Sequence, residues 1–165
     1  MKKFLKFAAP CACILALVGF ILTLATPAIT YPLNSGWFKD PNVAGTTAIF
    51  GQSGDYGSTK PSALALIAFI LAIVAMLALI CATVLPFLKN NKFAKFGGLL
   101  ALIAGICLVV AGIFVFIVIP TFASANGLSN MDGWGLGAGW VVAAILYIVA
   151  GAVAVCPTVL NLLGK

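Results

Sequence analysis

The chain has 165 residues, of which 64% are hydrophobic and 7% are charged, and its net charge at pH 7 is +6. A soluble domain carries roughly 25% charged residues, so this composition is typical of a membrane protein. The charged residues are nine Lys and three Asp. Without His, Glu or Arg the chain has no imidazole base, no His-ligated metal and no arginine clamp for phosphate. We therefore expect no enzyme and no cofactor.

Four long uncharged stretches divide the chain, and each has room for one membrane-spanning helix. They contain 32, 28, 36 and 32 residues, whereas a span needs ~20 apolar residues. Backbone groups in lipid must hydrogen-bond within their own segment, which favours helices. Pro27 and Pro120 are expected to end the first and third helices. The predicted spans are residues 7–27, 62–88, 97–119 and 136–163.

These spans predict an all-α membrane protein, a single domain over residues 1–165 folded as an up-down-up-down four-helix transmembrane bundle. Two predicted outer loops, 28–61 and 120–135, connect the helices on one side. The first loop is too long to be only a connection. Its run Thr46–Phe50 is rich in β-branched and aromatic residues, which is typical of a short strand. We expect a small folded cap over the bundle.

The lysines predict the orientation of the bundle. Two Lys and three Asp on the loop side give that side a charge of −1. The other side carries seven lysines, namely Lys2, Lys3, Lys6, Lys89, Lys92, Lys95 and Lys165. The positive-inside rule then places both termini in the cytoplasm and the chain in the plasma membrane as a multi-pass protein. The excess of positive charge therefore indicates topology and contact with the lipid bilayer, and we expect no nucleic-acid partner.

The chain also contains an internal repeat. The segments Ile70–Leu88 and Ile145–Leu163 are identical at ten of 19 aligned positions and share the pattern Cys-x-Thr-Val-Leu-x-x-Leu. Basic-aromatic starts precede the first and third spans, at Lys3–Phe7 and Lys92–Phe96. We interpret the halves, about 1–89 and 90–165, as two tandem helical hairpins related by a pseudo-two-fold axis along the membrane normal. Convergence of two apolar hairpins is the alternative.

Small residues recur every seven positions in each predicted span. Lipid supplies no hydrophobic drive between helices, so close contact depends on small side chains. A seven-residue period keeps one such stripe facing the neighbouring helix. The predicted helix-packing residues are Gly98, Gly105, Gly112, Gly137, Ala144 and Gly151. The alternative is that Ala and Gly are simply common in this chain.

Aromatic and acidic residues of the outer loops are the candidates for recognition of a partner or ligand. They are Tyr31, Trp37, Asp40, Asp55, Tyr56 and Trp134. Trp and Tyr also concentrate at membrane interfaces as anchors, so a passive cap with interfacial aromatic residues is the alternative interpretation.

All five cysteines fall in predicted spans. Cys81 and Cys156 occupy equivalent repeat positions, and Cys11 and Cys13 have a comparable predicted depth. Thiolates at such positions are weak candidates for a metal site. The favoured interpretation is that these cysteines are small apolar filler, since Cys is among the most buried residue types. We therefore expect no metal.

The long first outer loop with Gly36-Trp37 and the Thr46–Phe50 run, the shorter second loop and the four spans resemble the claudin and peripheral myelin protein family of tetraspan proteins. The resemblance is one of topology and extends along the whole chain. It implies four spans with cytoplasmic termini beneath a folded outer region.

The leading functional hypothesis is a non-enzymatic membrane scaffold or accessory subunit. Its outer loops would contact a membrane-protein partner, a lipid or another copy in a homo-oligomer. A small transporter or oligomeric pore built on the repeat is the alternative, and a thiol-based metal or redox protein is a third. Apart from thiols and Tyr147, no ionisable side chain lies in a predicted span, which argues against proton coupling and ion pumping.

Overall fold

The computed structural model of the chain describes residues 2–30, 42–54, 57–85, 91–128 and 133–162. Within these ranges the chain forms six α-helices and five short strands. The helices are α1 (Lys2–Ala25), α2 (Gly45–Phe50), α3 (Ala63–Val84), α4 (Asn91–Phe116), α5 (Val118–Ala125) and α6 (Ala138–Leu162). The strands are β1 (Pro27–Thr30), β2 (Val43–Ala44), β3 (Gln52–Gly54), β4 (Gly57–Thr59) and β5 (Gly135–Leu136).

The helices α1, α3, α4 and α6 are long and apolar enough to cross a membrane. The segments that qualify are Phe7–Ala25, Ala63–Val84, Phe96–Phe116 and Ala138–Leu160. They pack against each other in a ring, in which α1 and α4 each lie between α3 and α6. Four apolar helices in this arrangement suggest a multi-pass membrane protein and agree with a tetraspan arrangement.

The bundle buries small residues and exposes large ones. The buried helix positions are dominated by alanine, including Ala12, Ala16, Ala68, Ala72, Ala75, Ala104, Ala111, Ala144, Ala150 and Ala154. Large aliphatic side chains cover the outside, including Ile14, Leu17, Ile21, Ile67, Ile70, Val74, Leu77, Leu99, Ile103, Ile106, Ile145 and Val149. In water, apolar surface of this extent would be strongly unfavourable. Lipid favours this pattern, because helices pack there through small residues while large apolar side chains face the acyl chains.

Pro120 does not end the third long helix as the sequence predicted. The helix α4 ends earlier, at Phe116, and α5 resumes at Val118 with Pro120 inside it. Ile117 between them departs from helical geometry, with φ −104° and ψ 22°. Pro120 lacks the N–H that would bond to the carbonyl of Phe116, and its ring crowds that carbonyl. The break therefore lies three residues before the proline, which then sits in the first turn of α5, where a missing N–H costs little.

The run Thr46–Phe50 is helical and not a strand, so the β assignment was wrong. It forms most of α2, in which Gly45, Ala48 and Ile49 are buried. That spacing of three and four residues is the period of a helix face, whereas a strand would bury alternate residues. The β-branched composition of the run is overridden by packing, because the buried positions of α2 lie over the end of the bundle.

The strands form two small antiparallel sheets at one end of the bundle. A three-stranded sheet has the order β2-β1-β5, and the strands β3 and β4 form a hairpin. In the larger sheet, Ile29 of β1 pairs with Leu136 of β5, so the first and second connecting segments share one sheet. We call these strands together with α2 and α5 the cap. Because the cap follows α1 and α4 and precedes α3 and α6, the long helices alternate in direction.

The two hairpins of the sequence repeat are packed differently. In the second half, a Cβ on Gly105 would lie 2.7 Å from the backbone oxygen of Gly151, so α4 and α6 are in close backbone contact. The alignment of the repeats places Ala16 opposite Gly105 and Met76 opposite Gly151. Neither position of the first half is glycine, and α1 and α3 have the least extensive contact of the neighbouring pairs in the ring. A stack of Phe20 on Phe69, with ring centroids 5.1 Å apart, fills part of the space.

The other helix-packing candidates have varied surroundings. A Cβ on Gly112 would lie 2.8 Å from the oxygen of Ala144, again between α4 and α6. Gly98 has more room, since its nearest neighbour would be Thr158 Oγ1 at 3.9 Å. Gly137 lies just before α6 and abuts the carbonyl of Pro27 in β1. Its contact is therefore with the cap and not with another long helix.

Candidate functional site

A cleft of about 390 Å³ opens in the cap. Both connecting segments contribute to it, one through β2, α2, β3 and β4 and the other through α5 and the residues that follow it. The lining residues are Asn42, Val43, Ala44, Thr47, Gln52, Thr59, Phe122, Asn126, Leu128 and Trp134. Concave features of this kind are the usual sites of ligand binding.

Trp140 links the start of α6 to the end of α1, next to α2 of the cap. Its indole Nε1–H donates to the backbone oxygen of Thr23 at 3.0 Å. In a continuous helix that oxygen would accept from the N–H of residue 27, but Pro27 has none. Gly45 lies directly above this bond, with its N–H donating to the oxygen of Thr26 at 3.1 Å. A Cβ on Gly45 would collide with the carbonyl of Thr23, so only glycine fits there.

Asn126 joins the two segments that line the cleft. Its Oδ1 accepts the backbone N–H of Lys60 at 2.7 Å, and its Nδ2 donates to the backbone oxygen of Lys60 at 3.0 Å. The second N–H of the same amide donates to the oxygen of Phe122 at 2.9 Å. The side chain therefore pairs with both the N–H and the carbonyl oxygen of Lys60, as the backbone of a neighbouring strand would. Both N–H groups of the amide donate within the protein, so the role of Asn126 in the cleft is structural.

A second link runs between the start of α3 and α5 beneath the cleft. Thr121 donates its hydroxyl proton to the oxygen of Val118 at 2.8 Å, so in its 2.6 Å contact with Ser62 it accepts and Ser62 donates. The oxygen of Ser62 in turn accepts the N–H of Ala65 at 3.5 Å and caps α3. This chain of directed hydrogen bonds fixes α5 against the first turn of α3.

The interior below the cap is closely filled. Thr23, Trp140 and Tyr147 meet there, and the Tyr147 hydroxyl lies 3.5 Å from Thr23 Oγ1. The void beside them is about 10 Å³, which is close to the space of a single water molecule. Among the described residues, every buried side-chain nitrogen and oxygen has a hydrogen-bond partner.

Of the predicted recognition residues, the structure places Trp134 in the lining of the cleft. Tyr31, Trp37, Asp40, Asp55 and Tyr56 lie outside the described residues. The lysines that predict the orientation also remain untested, because Lys89 and Lys165 lie outside the described residues. The side chains of the other five, Lys2, Lys3, Lys6, Lys92 and Lys95, do so as well.

The sequence reasoning missed the neutral polar residues of the cleft, above all Asn42, Thr47, Gln52 and Asn126. A signal for Asn126 was present, since Asn followed by Gly after an apolar helix is typical of a helix end. Gly127 does adopt a positive φ of 65° there. The other residues had no such signal, because isolated amides and hydroxyls in a long loop predict only a turn or a solvated surface.

The filler interpretation does not suit three of the cysteines. Cys11, Cys81 and Cys156 are exposed on the outside of their helices, and Cys13 and Cys107 are partly buried. A thiol on an exposed apolar helix face leaves no strong hydrogen-bonding group unpaired, so such a position is tolerated. Cys81 and Cys156 are both exposed, as equivalent positions of the repeat should be. In the described ranges no three His, Cys, Asp or Glu side chains are grouped as metal ligands.

The described lining of the cleft therefore offers amides, hydroxyls and apolar side chains, with no charged group among them. Such a set can hydrogen-bond a neutral ligand or surface. No known protein family, no curated protein and no solved structure matches the chain.

Proposed function

We propose that the chain is a non-enzymatic, four-span plasma-membrane protein, a scaffold or accessory subunit whose cap recognises a partner on the outer side. The observation that carries the proposal is the preorganised cleft. Both connecting segments line it, and two sets of side-chain hydrogen bonds, from Asn126 and from Ser62, hold it together. A passive connection between helices has no need of such links, whereas a binding surface gains affinity from being held in place.

The distribution of side chains supports membrane insertion. Alanine fills the interior and large aliphatic residues cover the four long helices. Seven lysines at the end away from the predicted outer loops support an outward-facing cap and cytoplasmic termini. A long first segment with short strands, joined by β1 and β5 to a shorter second segment, supports a claudin-type tetraspan arrangement at the level of topology.

The packing favours recognition over transport by a single copy. A transporter needs a polar path or a substrate cavity between its halves. The void at the junction of Thr23, Trp140 and Tyr147 holds about 10 Å³, and the described interior around it is apolar and alanine-rich. A path formed between several copies would lie on the outer faces of the helices, where the described side chains are aliphatic.

Site-specific photo-crosslinking tests the proposal. A benzoylphenylalanine residue in place of Leu128, which is exposed in the lining of the cleft, reports on the cleft. The same residue in place of Ile145, which is exposed on α6, reports on the lipid-facing surface. Irradiation of membranes should give a discrete protein or lipid adduct from position 128. An adduct from position 145 alone, or no adduct from position 128 in well-folded protein, would contradict recognition through the cap.

A further inference from the structure

The lining of the cleft combines two kinds of side chain. The first connecting segment contributes neutral hydrogen-bonding groups, at Asn42, Thr47, Gln52 and Thr59. The second contributes apolar side chains, of which Leu128 is exposed and Trp134 partly exposed, whereas Phe122 is almost fully buried. A ligand that fits this lining has both hydrogen-bonding groups and an apolar face.

Internal hydrogen bonds orient the polar side. Thr47 donates its hydroxyl proton to Gln52 Oε1 at 3.0 Å. Because Thr47 donates to Oε1, the Nε2 group of Gln52 points away from Thr47 and can act as a donor. The hydroxyl oxygen of Thr47 can still accept a hydrogen bond. Asn126 uses its side-chain amide in bonds to Lys60 and Phe122, so the polar edge offered to a ligand in the described lining consists of Asn42, Thr47, Gln52 and Thr59. It presents both donors and acceptors and carries no charge.

We propose that this cleft binds a neutral sugar residue of a glycan. A pyranose ring has hydroxyls around its edge that both donate and accept, and an apolar C–H face that packs on an aromatic side chain. The cleft volume of about 390 Å³ lies toward the small end of the ~300–1,000 Å³ range of ligand pockets. The inference rests on the proposed recognition function and names the class of ligand for it.

The same features disfavour an anionic ligand and an extended peptide. Binding an anion in a partly enclosed site requires a compensating positive group, and none lines the described cleft. A peptide bound as an added strand needs a free strand edge of some length, yet the strands that line the cleft, β2, β3 and β4, have only two or three residues each. Side-chain amides and hydroxyls dominate the polar edge instead, and these match sugar hydroxyls.

Saturation-transfer NMR on the full chain in lipid nanodiscs tests the proposal. Nanodiscs avoid sugar-headed detergents, which would compete for the cleft. The probes are cellobiose and N,N′-diacetylchitobiose as neutral sugars, glucuronate as an anion, and tetraserine as a neutral peptide. A cellobiosyl lipid in the nanodisc forms a further arm, which separates a membrane-borne glycan from a soluble one. We expect transfer to at least one neutral sugar and none to glucuronate or tetraserine.

Two variants locate the binding. Gln52→Leu and Asn42→Leu each remove a hydrogen-bonding group at an exposed position and should raise the dissociation constant for that sugar about fivefold or more. Ser53→Ala is the matched control, because Ser53 is the next residue on β3 and points to the opposite face. Absence of transfer to every neutral sugar, stronger transfer to glucuronate or tetraserine, or equal effects of all three variants would overturn the proposal. If position 128 still crosslinks a partner in that case, recognition stands and only the sugar assignment fails.

Discussion

The indole N–H of Trp140 donates to the carbonyl oxygen of Thr23, the oxygen that Pro27 leaves without its helical partner. Pro27 both ends α1 and creates an orphan acceptor inside the apolar junction. Trp140, in the first turn of α6, supplies the missing donor. One hydrogen bond thus links the first turn of α6 to the last turn of α1, and Gly45 of α2 packs directly against it.

Trp140→Phe should lower the free energy of unfolding by about 1–3 kcal/mol, because it leaves the Thr23 carbonyl buried and unpaired. Tyr147→Phe is the matched control. It also removes one polar group from a buried aromatic residue, but the contact of that group with Thr23 is long, at 3.5 Å. Thermal unfolding followed by circular dichroism in one detergent compares the two variants. A larger loss for Tyr147→Phe would contradict the role given to Trp140.

Gly105→Ala should destabilise the bundle by about 1–3 kcal/mol, the range for an overpacked core. The new Cβ would lie 2.5 Å from Val155 Cγ2 and 2.7 Å from the oxygen of Gly151, so α4 and α6 would have to separate. Gly98→Ala is the control on the same helix, since its Cβ would meet nothing closer than 3.9 Å.

The control variant should be neutral or slightly stabilising, because alanine is the better helix former. Both variants are compared with the parent chain by thermal unfolding in the same lipid. If Gly105→Ala proves as stable as Gly98→Ala, the close contact between α4 and α6 is not present.

The hydroxyls of the repeat-related residues Thr158 and Thr83 should differ in their contribution to stability. Thr158 donates across to the oxygen of Gly98 on α4 at 3.1 Å, whereas Thr83 donates within α3 to the oxygen of Leu79. Thr158→Val should therefore cost roughly 0.6 kcal/mol, the average for hydrogen bonds between membrane helices. Thr83→Val removes no bond between helices and should cost less. Equal effects in the same unfolding assay would show that the two hairpins pack alike.

Asn126→Leu should loosen the cap without unfolding the bundle. The variant removes both bonds to the Lys60 backbone and the bond to Phe122. The Lys60 amide loses its acceptor, so hydrogen exchange measured by mass spectrometry should accelerate in the peptide that contains Lys60. Peptides from the middle of α3 and α4 should exchange as in the parent chain. Asn42→Leu, at an exposed residue of the cleft, is the control, and unchanged exchange at Lys60 in Asn126→Leu would contradict the link.

The long helices could be predicted because their signal is strong and local: about twenty apolar residues between charges, with small residues at helical spacing. Details that depend on tertiary contact could not be predicted from the sequence. Thr46–Phe50 has the composition of a strand but folds as part of α2, because a helix buries Gly45, Ala48 and Ile49 on one face. The break at Ile117 precedes Pro120 because the proline ring clashes with the carbonyl of Phe116, four residues upstream.

The candidate site was predictable only in part. Trp134 was identified from its residue type and loop position, and the structure places it in the cleft. The pairing of Asn126 with Lys60 joins residues 66 positions apart, and a contact of that range leaves no periodic pattern in the sequence. The difference between the hairpins coincides with single substitutions, Ala16 for Gly105 and Met76 for Gly151, and appears only when the helices are packed.

The central claim, a four-span bundle with its cap and cleft on the outer side of the membrane, is tested most directly by cysteine accessibility in intact cells. The native cysteines are replaced by alanine, and single variants Ser53→Cys in β3 and Asn90→Cys between the hairpins are treated with a membrane-impermeant maleimide. The account predicts that Ser53→Cys is labelled in intact cells and Asn90→Cys only after permeabilisation. Labelling of Asn90→Cys in intact cells, or protection of Ser53→Cys, would contradict it.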